Sequence, residues 1–169
     1  MKPPQHRIDA PAVLILRDDP AWDFERVEAE LEELGDDSAD HPVTAYFRGA
    51  TRYDMGAVES YLQSDKQPLR INIRRLPVDR LARVQDMFTR EVSSDGEVSL
   101  YSVWVEAVLG GVISIEGDGA PELDHRHGKL TAGSLQRIHD ELGGLQTISE
   151  IGAAVFNLSQ PLTAAEKKR

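Results

Sequence analysis

The longest nearly uncharged stretch of the chain runs from Val98 to Ile115, and it constrains the fold more than any other feature. Glu106 is its one charged residue. A segment that is apolar on every side belongs in a core, because a surface helix would carry a polar face. The Gly110–Gly111 pair divides it, so the sequence predicts a central helix over 99–109 and a strand over 112–115. Two glycines and a glutamate make these 18 residues a poor membrane span.

Three other segments have the β-branched or alternating residues that are typical of strands, namely 13–17, 43–48 and 69–74. In the last of these, leucine and isoleucine alternate with arginine and asparagine, which predicts one apolar face and one wet, arginine-lined face. A wet face suits an antiparallel sheet covered by helices on its other side.

Helices are predicted from apolar repeats and from their start signals. Asp19–Pro20 supplies an N-cap and a first-turn proline. Thr51–Asp54 and Thr147–Glu150 have the spacing of a capping box. The predicted helices begin near Pro20, Thr51, Pro77, Ser99, Ser134 and Thr147. We therefore predict an α+β fold with a small antiparallel sheet of about three strands, packed by four to six helices.

The proline-containing segment 1–11 predicts an extended N-terminal arm, residues 12–160 a single domain, and residues 161–169 a C-terminal tail. The short apolar run 12–16 is too brief for the core of a signal peptide. The chain contains no cysteine, which excludes disulfides and thiolate chemistry.

Charge is distributed unevenly along the chain. Between Asp18 and Asp40 there are eleven acidic residues and one arginine, whereas Lys66 to Arg90 contains seven basic and two acidic residues. Separated fields of opposite sign can steer one protein onto another, although solvated helix faces would give the same pattern. The candidate protein–protein interface residues are Glu25, Glu28, Glu32, Glu33, Arg70, Arg74, Arg75, Arg80 and Arg83.

Asp124-His125-Arg126-His127, with His139 further along the chain, is the strongest candidate for metal or acid–base chemistry. Arg126 between the two imidazoles opposes a cation, and no second cluster completes a tetrahedral set of ligands. No nucleophile or phosphate-binding loop accompanies these residues. The sequence thus predicts a protein that is not an enzyme, with no catalytic residue, metal or cofactor.

The two C-terminal helices invite a second interpretation, a helix-turn-helix DNA-binding regulator with 145–156 as the recognition helix. That segment has no lysine or arginine and carries Glu150, in a chain of net charge −10. The phosphate contacts that supply most DNA affinity are therefore missing, and nucleic acid is an unfavoured partner.

The closing segment, LQTISEIGAAVFNLSQPLTAAEKKR, combines an amphipathic helix ending in Leu-Ser with Leu-Thr-x-x-Glu and a basic end. It resembles the C-terminal region of tailed-bacteriophage morphogenesis proteins, in particular tail assembly chaperones and minor tail or neck components. The resemblance covers the last quarter of the chain. It implies a non-enzymatic structural or assembly protein that contacts other protein subunits during assembly of the tail, neck or capsid. The expected location is the virion or the host cytoplasm, without membrane contact.

Overall fold

A three-stranded antiparallel sheet lies at the centre of the computed structural model, which describes residues 11–49, 55–93 and 99–160. Its strands are β1 (Ala12–Leu14), β2 (Arg70–Ile73) and β3 (Val112–Glu116), with β2 in the middle. Ile71 of β2 lies opposite both Leu14 and Ile115, and all three side chains are buried. The alternation predicted for 69–74 is confirmed, because Ile71 and Ile73 face the core while Arg70 and Asn72 are half-buried on the other face.

Seven α-helices and a second, two-stranded sheet accompany this sheet in the described residues, which confirms the α+β fold class. The predicted arm and tail lie outside the described residues apart from Pro11. The helices are α1 (Phe24–Leu34), α2 (Pro42–Phe47), α3 (Met55–Val58), α4 (Val78–Val92), α5 (Tyr101–Gly111), α6 (Ala132–Leu142) and α7 (Leu145–Ser159), and a 3-10 turn spans Glu59–Tyr61.

The predicted central helix is α5, which packs against α7 in the main hydrophobic core. The helix ends at the glycine pair, as predicted, but both glycines belong to its last turn and β3 follows directly. A Cβ at Gly111 would lie 2.2 Å from a methyl carbon of Val155, so the missing side chain lets α7 approach. Gly152 of α7 has the same effect, since a Cβ there would lie 2.6 Å from the Cβ of Trp104.

A second hydrophobic cluster joins α1, α2 and α3 to the chain after β1. Its fully buried centre includes Trp22, Val43 and Tyr46. The prediction of a strand over 43–48 is wrong, because this segment is α2 with Pro42 in its first turn. Helical spacing brings Val43 and Tyr46 to one buried side, whereas strand spacing would place them on opposite faces. The Tyr46 hydroxyl donates to the carbonyl of Ile15 and accepts from its N–H, at 2.7 and 3.0 Å.

Two predicted helix starts are also wrong. The first helix begins at Phe24, capped by Asp23, while Asp19 is buried and accepts hydrogen bonds from the N–H groups of Ala21 and Leu69. The last helix begins at Leu145, before the expected capping box, and Thr147 donates to the carbonyl of Leu142. The expected Thr51–Asp54 cap lies outside the described residues.

The segment between β3 and α6 contains a short hairpin. Strands β4 (His125–Arg126) and β5 (Lys129–Leu130) pair antiparallel around a two-residue turn. Both turn residues, His127 and Gly128, have positive φ, at 51° and 75°, as a type I′ turn requires. Two-residue strands are too short for a periodicity to show in the sequence.

Candidate docking surfaces

Helix α1 presents four glutamates to solvent, and we call Glu25, Glu28, Glu32 and Glu33 the acidic face. The opposite side of the helix buries Val27 and Leu31 in the second hydrophobic cluster. Within the described residues, none of the four glutamates forms an ion pair. The acidic face is therefore held rigidly from behind, and its charges are available to another molecule.

The five arginines of the other predicted surface, here the arginine row, do not form one surface. Arg74 donates to the carbonyls of Gly110 and Gly128, and Arg75 donates to those of Ser159 and Gln160 at 3.3 and 3.1 Å. Arg75 thereby satisfies carbonyls at the C-terminal end of α7, where a cation also complements the helix dipole. Arg70 pairs with Glu59 at 3.0 Å.

The remaining two members of the arginine row lie on α4. Arg83 is 3.7 Å from Glu106 of α5, whose side chain is 25% exposed. An arginine of α4 thus partners this glutamate of the central helix. Asp79 and Asp86 are exposed on the same helix, so α4 carries both signs of charge. The acidic face and the arginine row form no ion pair with each other among the described residues.

A basic surface that the sequence analysis missed surrounds the β4–β5 hairpin. The hairpin, α5 and the start of α6 enclose an open cleft, here called the hairpin cleft. Half-buried apolar side chains, including Val105, Leu109 and Leu135, line it. Its exposed basic residues are Arg126, Lys129 and Arg137, accompanied by His125 and His127 and by one acid, Asp124.

Contacts from several elements fix the hairpin and the chain that border the hairpin cleft. The guanidinium of Arg74 donates to the carbonyl of Gly128 at the hairpin tip, and the His125 ring lies 3.0 Å from the carbonyl of Val112. Arg137 donates to the carbonyl of Glu122 and lies 3.5 Å from Asp124. The sequence contains one pattern that indicates this basic hairpin, the string His-Arg-His-Gly-Lys, in which a turn glycine separates basic residues.

Of the residues considered for metal binding, Asp124, His125 and His127 line the hairpin cleft. No group of three or more histidine or acidic side chains in the described residues could hold a metal ion. His139 lies on α6 with its Nδ1 2.9 Å from Asp140, and it does not line the hairpin cleft.

One carboxylate, Glu150, is almost fully buried, and it connects α7 to the chain after β1. It accepts a hydrogen bond from the N–H of Arg17 at 3.0 Å. Burial raises the pKa of Glu150 above its usual range, while the N–H and guanidinium of Arg17 act in the opposite direction. Arg17 in turn donates to the carbonyls of Tyr46 and Gly49, so these contacts join the two hydrophobic clusters.

The helix-turn-helix alternative places 145–156 in a DNA groove. In the structure this segment is most of α7, and its first two residues are the exposed ones. Ile148, Ile151 and Val155 are fully buried in the main core. A recognition helix needs a free face of several side chains, so this geometry lends that alternative no support.

Among the described residues, no helix is long and apolar enough to cross a membrane. In comparisons with protein-family models, curated proteins and solved structures, the chain shows no match in any of the three.

Proposed function

We propose that the protein is a non-enzymatic assembly factor or structural component that docks onto other protein subunits through the acidic face of α1. The observation that carries the proposal is the combination of a firmly packed helix with outward glutamates that have no arginine partner in the described residues. Glu28 and Glu32 lie one helical turn apart, and such like-charged pairs destabilise a helix by a few tenths of a kcal/mol each. A basic partner would remove this repulsion on docking.

The partner surface should be basic, and association should weaken as salt rises, because exposed charges are screened beyond about 8 Å at physiological ionic strength. Rim charges of this kind act mainly on the association rate and on partner choice. The resemblance of the C-terminal quarter to tailed-phage tail assembly chaperones and minor tail or neck components supports a setting in virion assembly, in the virion or the host cytoplasm.

The test is capture of partners from the extract of cells that make the protein, with three baits compared at low and high salt. The first bait is the wild type, and the second replaces Glu25, Glu28, Glu32 and Glu33 by Gln. The third replaces four exposed acids elsewhere, Asp65→Asn, Asp86→Asn, Glu116→Gln and Glu141→Gln, and so has the same net charge as the second.

We expect the wild type and the third bait to recover the same proteins at low salt, and the second bait to lose them. Equal recovery by all three baits, or loss with the third bait alone, would show that the acidic face is not the docking surface.

A further inference from the structure

We propose that the hairpin cleft receives the acidic face of α1 from a second copy of this chain, so that copies associate head to tail. The inference rests on the proposed function, since it names the partner of the acidic face. Its basis is that one chain carries two separate, preformed surfaces of opposite charge.

In the part of the chain that the structure describes, the hairpin cleft carries basic side chains that are free to pair with the acidic face. Arg126 and Lys129 flank the hairpin turn, are exposed, and form no ion pair within the described residues. The arginine row is less suited to this role, because Arg70, Arg74 and Arg75 already bind groups of their own chain and α4 carries exposed acidic residues beside its arginines. The hairpin cleft is thus the described surface on which unpaired basic side chains surround an apolar floor.

The hairpin that borders the cleft is also fixed in position. The two-residue turn, with His127 at positive φ, and the Arg74 bond to Gly128 fix the hairpin before any partner arrives. A surface that is preorganised loses less side-chain and loop freedom on binding.

An exposed apolar side chain lies at the edge of the acidic face. Phe24 begins α1, is 44% exposed, and lies one turn before Glu28. The hairpin cleft offers the half-buried Val105 and Leu109 as a matching apolar floor. Side chains that fill well-packed pockets near the centre of an interface, surrounded by contacts that exclude water, carry most of the binding energy.

Because the two surfaces differ, the contact is heterologous. After pairing, one copy keeps its free cleft and the other keeps its free acidic face. Such contacts produce rings when the rotation closes and open filaments when it does not. The chain should therefore form species larger than dimers as its concentration rises.

Sedimentation velocity with charge-reversed variants tests the proposal, using the full chain at low and high salt. The cleft variant is Arg126→Glu with Lys129→Glu, and the helix variant is Glu28→Arg with Glu32→Arg. The four positions are exposed, and circular dichroism checks that each variant is folded. Should a reversal fail to fold, Arg126→Gln with Lys129→Gln and Glu28→Gln with Glu32→Gln replace it.

We expect the wild type to associate at low salt and each reversed variant alone to weaken by more than about tenfold, since like charges then face each other. Mixing the two reversed variants should restore association beyond pairs, because a basic helix then meets an acidic cleft and the unaltered acidic face meets the unaltered cleft. With the neutral replacements, each variant alone weakens, and their mixture should recover pairs only, because the unaltered acidic face of one variant can still meet the unaltered cleft of the other.

A monomeric wild type at low salt, unaltered association of the cleft variant, or no rescue in the mixture of folded reversed variants overturns the inference. The capture experiment tests the proposed function separately from this inference. If the acidic face still selects partners in the capture experiment while the cleft variant behaves like the wild type, α1 docks onto a different protein.

Discussion

The acidic face and the arginine row have similar numbers of charges, but the structure uses them differently. Every glutamate of the acidic face points to solvent, whereas Arg74 and Arg75 bind backbone carbonyls that lie 36 to 85 residues away in the chain. The first set leaves its charge available to other molecules, and the second set fastens the sheet to α5, α7 and the hairpin. A charged segment in a sequence therefore indicates a surface only when its side chains lack partners within the fold.

The largest difference between the two regions should appear in stability when Arg75 is removed. Arg75→Ala abolishes two hydrogen bonds from a charged donor to the end of α7, which are worth about 1.5–3 kcal/mol each when buried. Arg75 is half-buried, so we expect a loss in unfolding free energy near the lower value, measured by urea denaturation. A change below about 0.5 kcal/mol, the range of ordinary surface substitutions, would mean that the arginine row is not structural at this point.

Glu150 contrasts with the glutamates of the acidic face, because it is an acid that forms contacts inside the fold. Its folded-state pKa is raised, so the folded chain takes up a proton more readily than the unfolded chain does. The stability contribution of Glu150 is thus greatest below its unfolded pKa and is lost as pH rises through the folded value. Glu150→Gln keeps an acceptor for the Arg17 N–H without a buried charge.

We therefore expect the unfolding free energy of Glu150→Gln, relative to wild type, to increase from about pH 4 to pH 7, the range above the ordinary glutamate pKa. Denaturation curves at several pH values measure it. A difference that is constant with pH would indicate that the attraction of Arg17 balances burial, and one that decreases with pH would indicate that the attraction outweighs it.

A smaller effect is expected for Arg83→Ala. Its side chain is 69% exposed, and its ion pair with Glu106 is long, at 3.7 Å. Exposed pairs of this kind contribute about 0–1 kcal/mol, and the contribution decreases with salt. If Arg83→Ala proves as destabilising as Arg75→Ala in the same denaturation assay, the division of the arginine row into structural and exposed members is incorrect.

The smallest effect on stability is expected for the variant with Gln at Glu25, Glu28, Glu32 and Glu33. Removing repulsion along α1 should raise the unfolding free energy by a few tenths of a kcal/mol. Thermal denaturation at low salt should detect the shift, and high salt should abolish it. A clear loss of stability would show that these charges support the fold rather than a partner.

Sequence patterns identified those parts of the fold that depend on local residues. Helix α5 was predicted because a uniformly apolar segment belongs in the core, and strand β2 because strict alternation of apolar and polar residues assigns each side chain to one face of a sheet. Helix α2 was mistaken for a strand because valine, tyrosine and phenylalanine favour strands, while burial of Tyr46 against Ile15 decides in favour of a helix.

The candidate surfaces were predictable to a similar extent. Exposure of the acidic face follows from the helical period of Val27 and Leu31. The binding of Arg75 to the end of α7 joins residues 84 and 85 positions apart, which no local pattern can show. The hairpin cleft depends on two-residue strands and on three elements meeting in space.

The claim that the acidic face of one copy docks into the hairpin cleft of another is tested most directly by zero-length cross-linking of carboxylates to lysines. Equal amounts of protein with natural and with heavy nitrogen are mixed at low salt, and mass spectrometry then identifies cross-links between copies. We expect these links to come mainly from Glu25, Glu28, Glu32 and Glu33, with Lys129 as an acceptor, and we expect high salt to remove them. Links spread evenly over exposed acids such as Asp65, Glu116 and Glu141, or no links between copies, would contradict it.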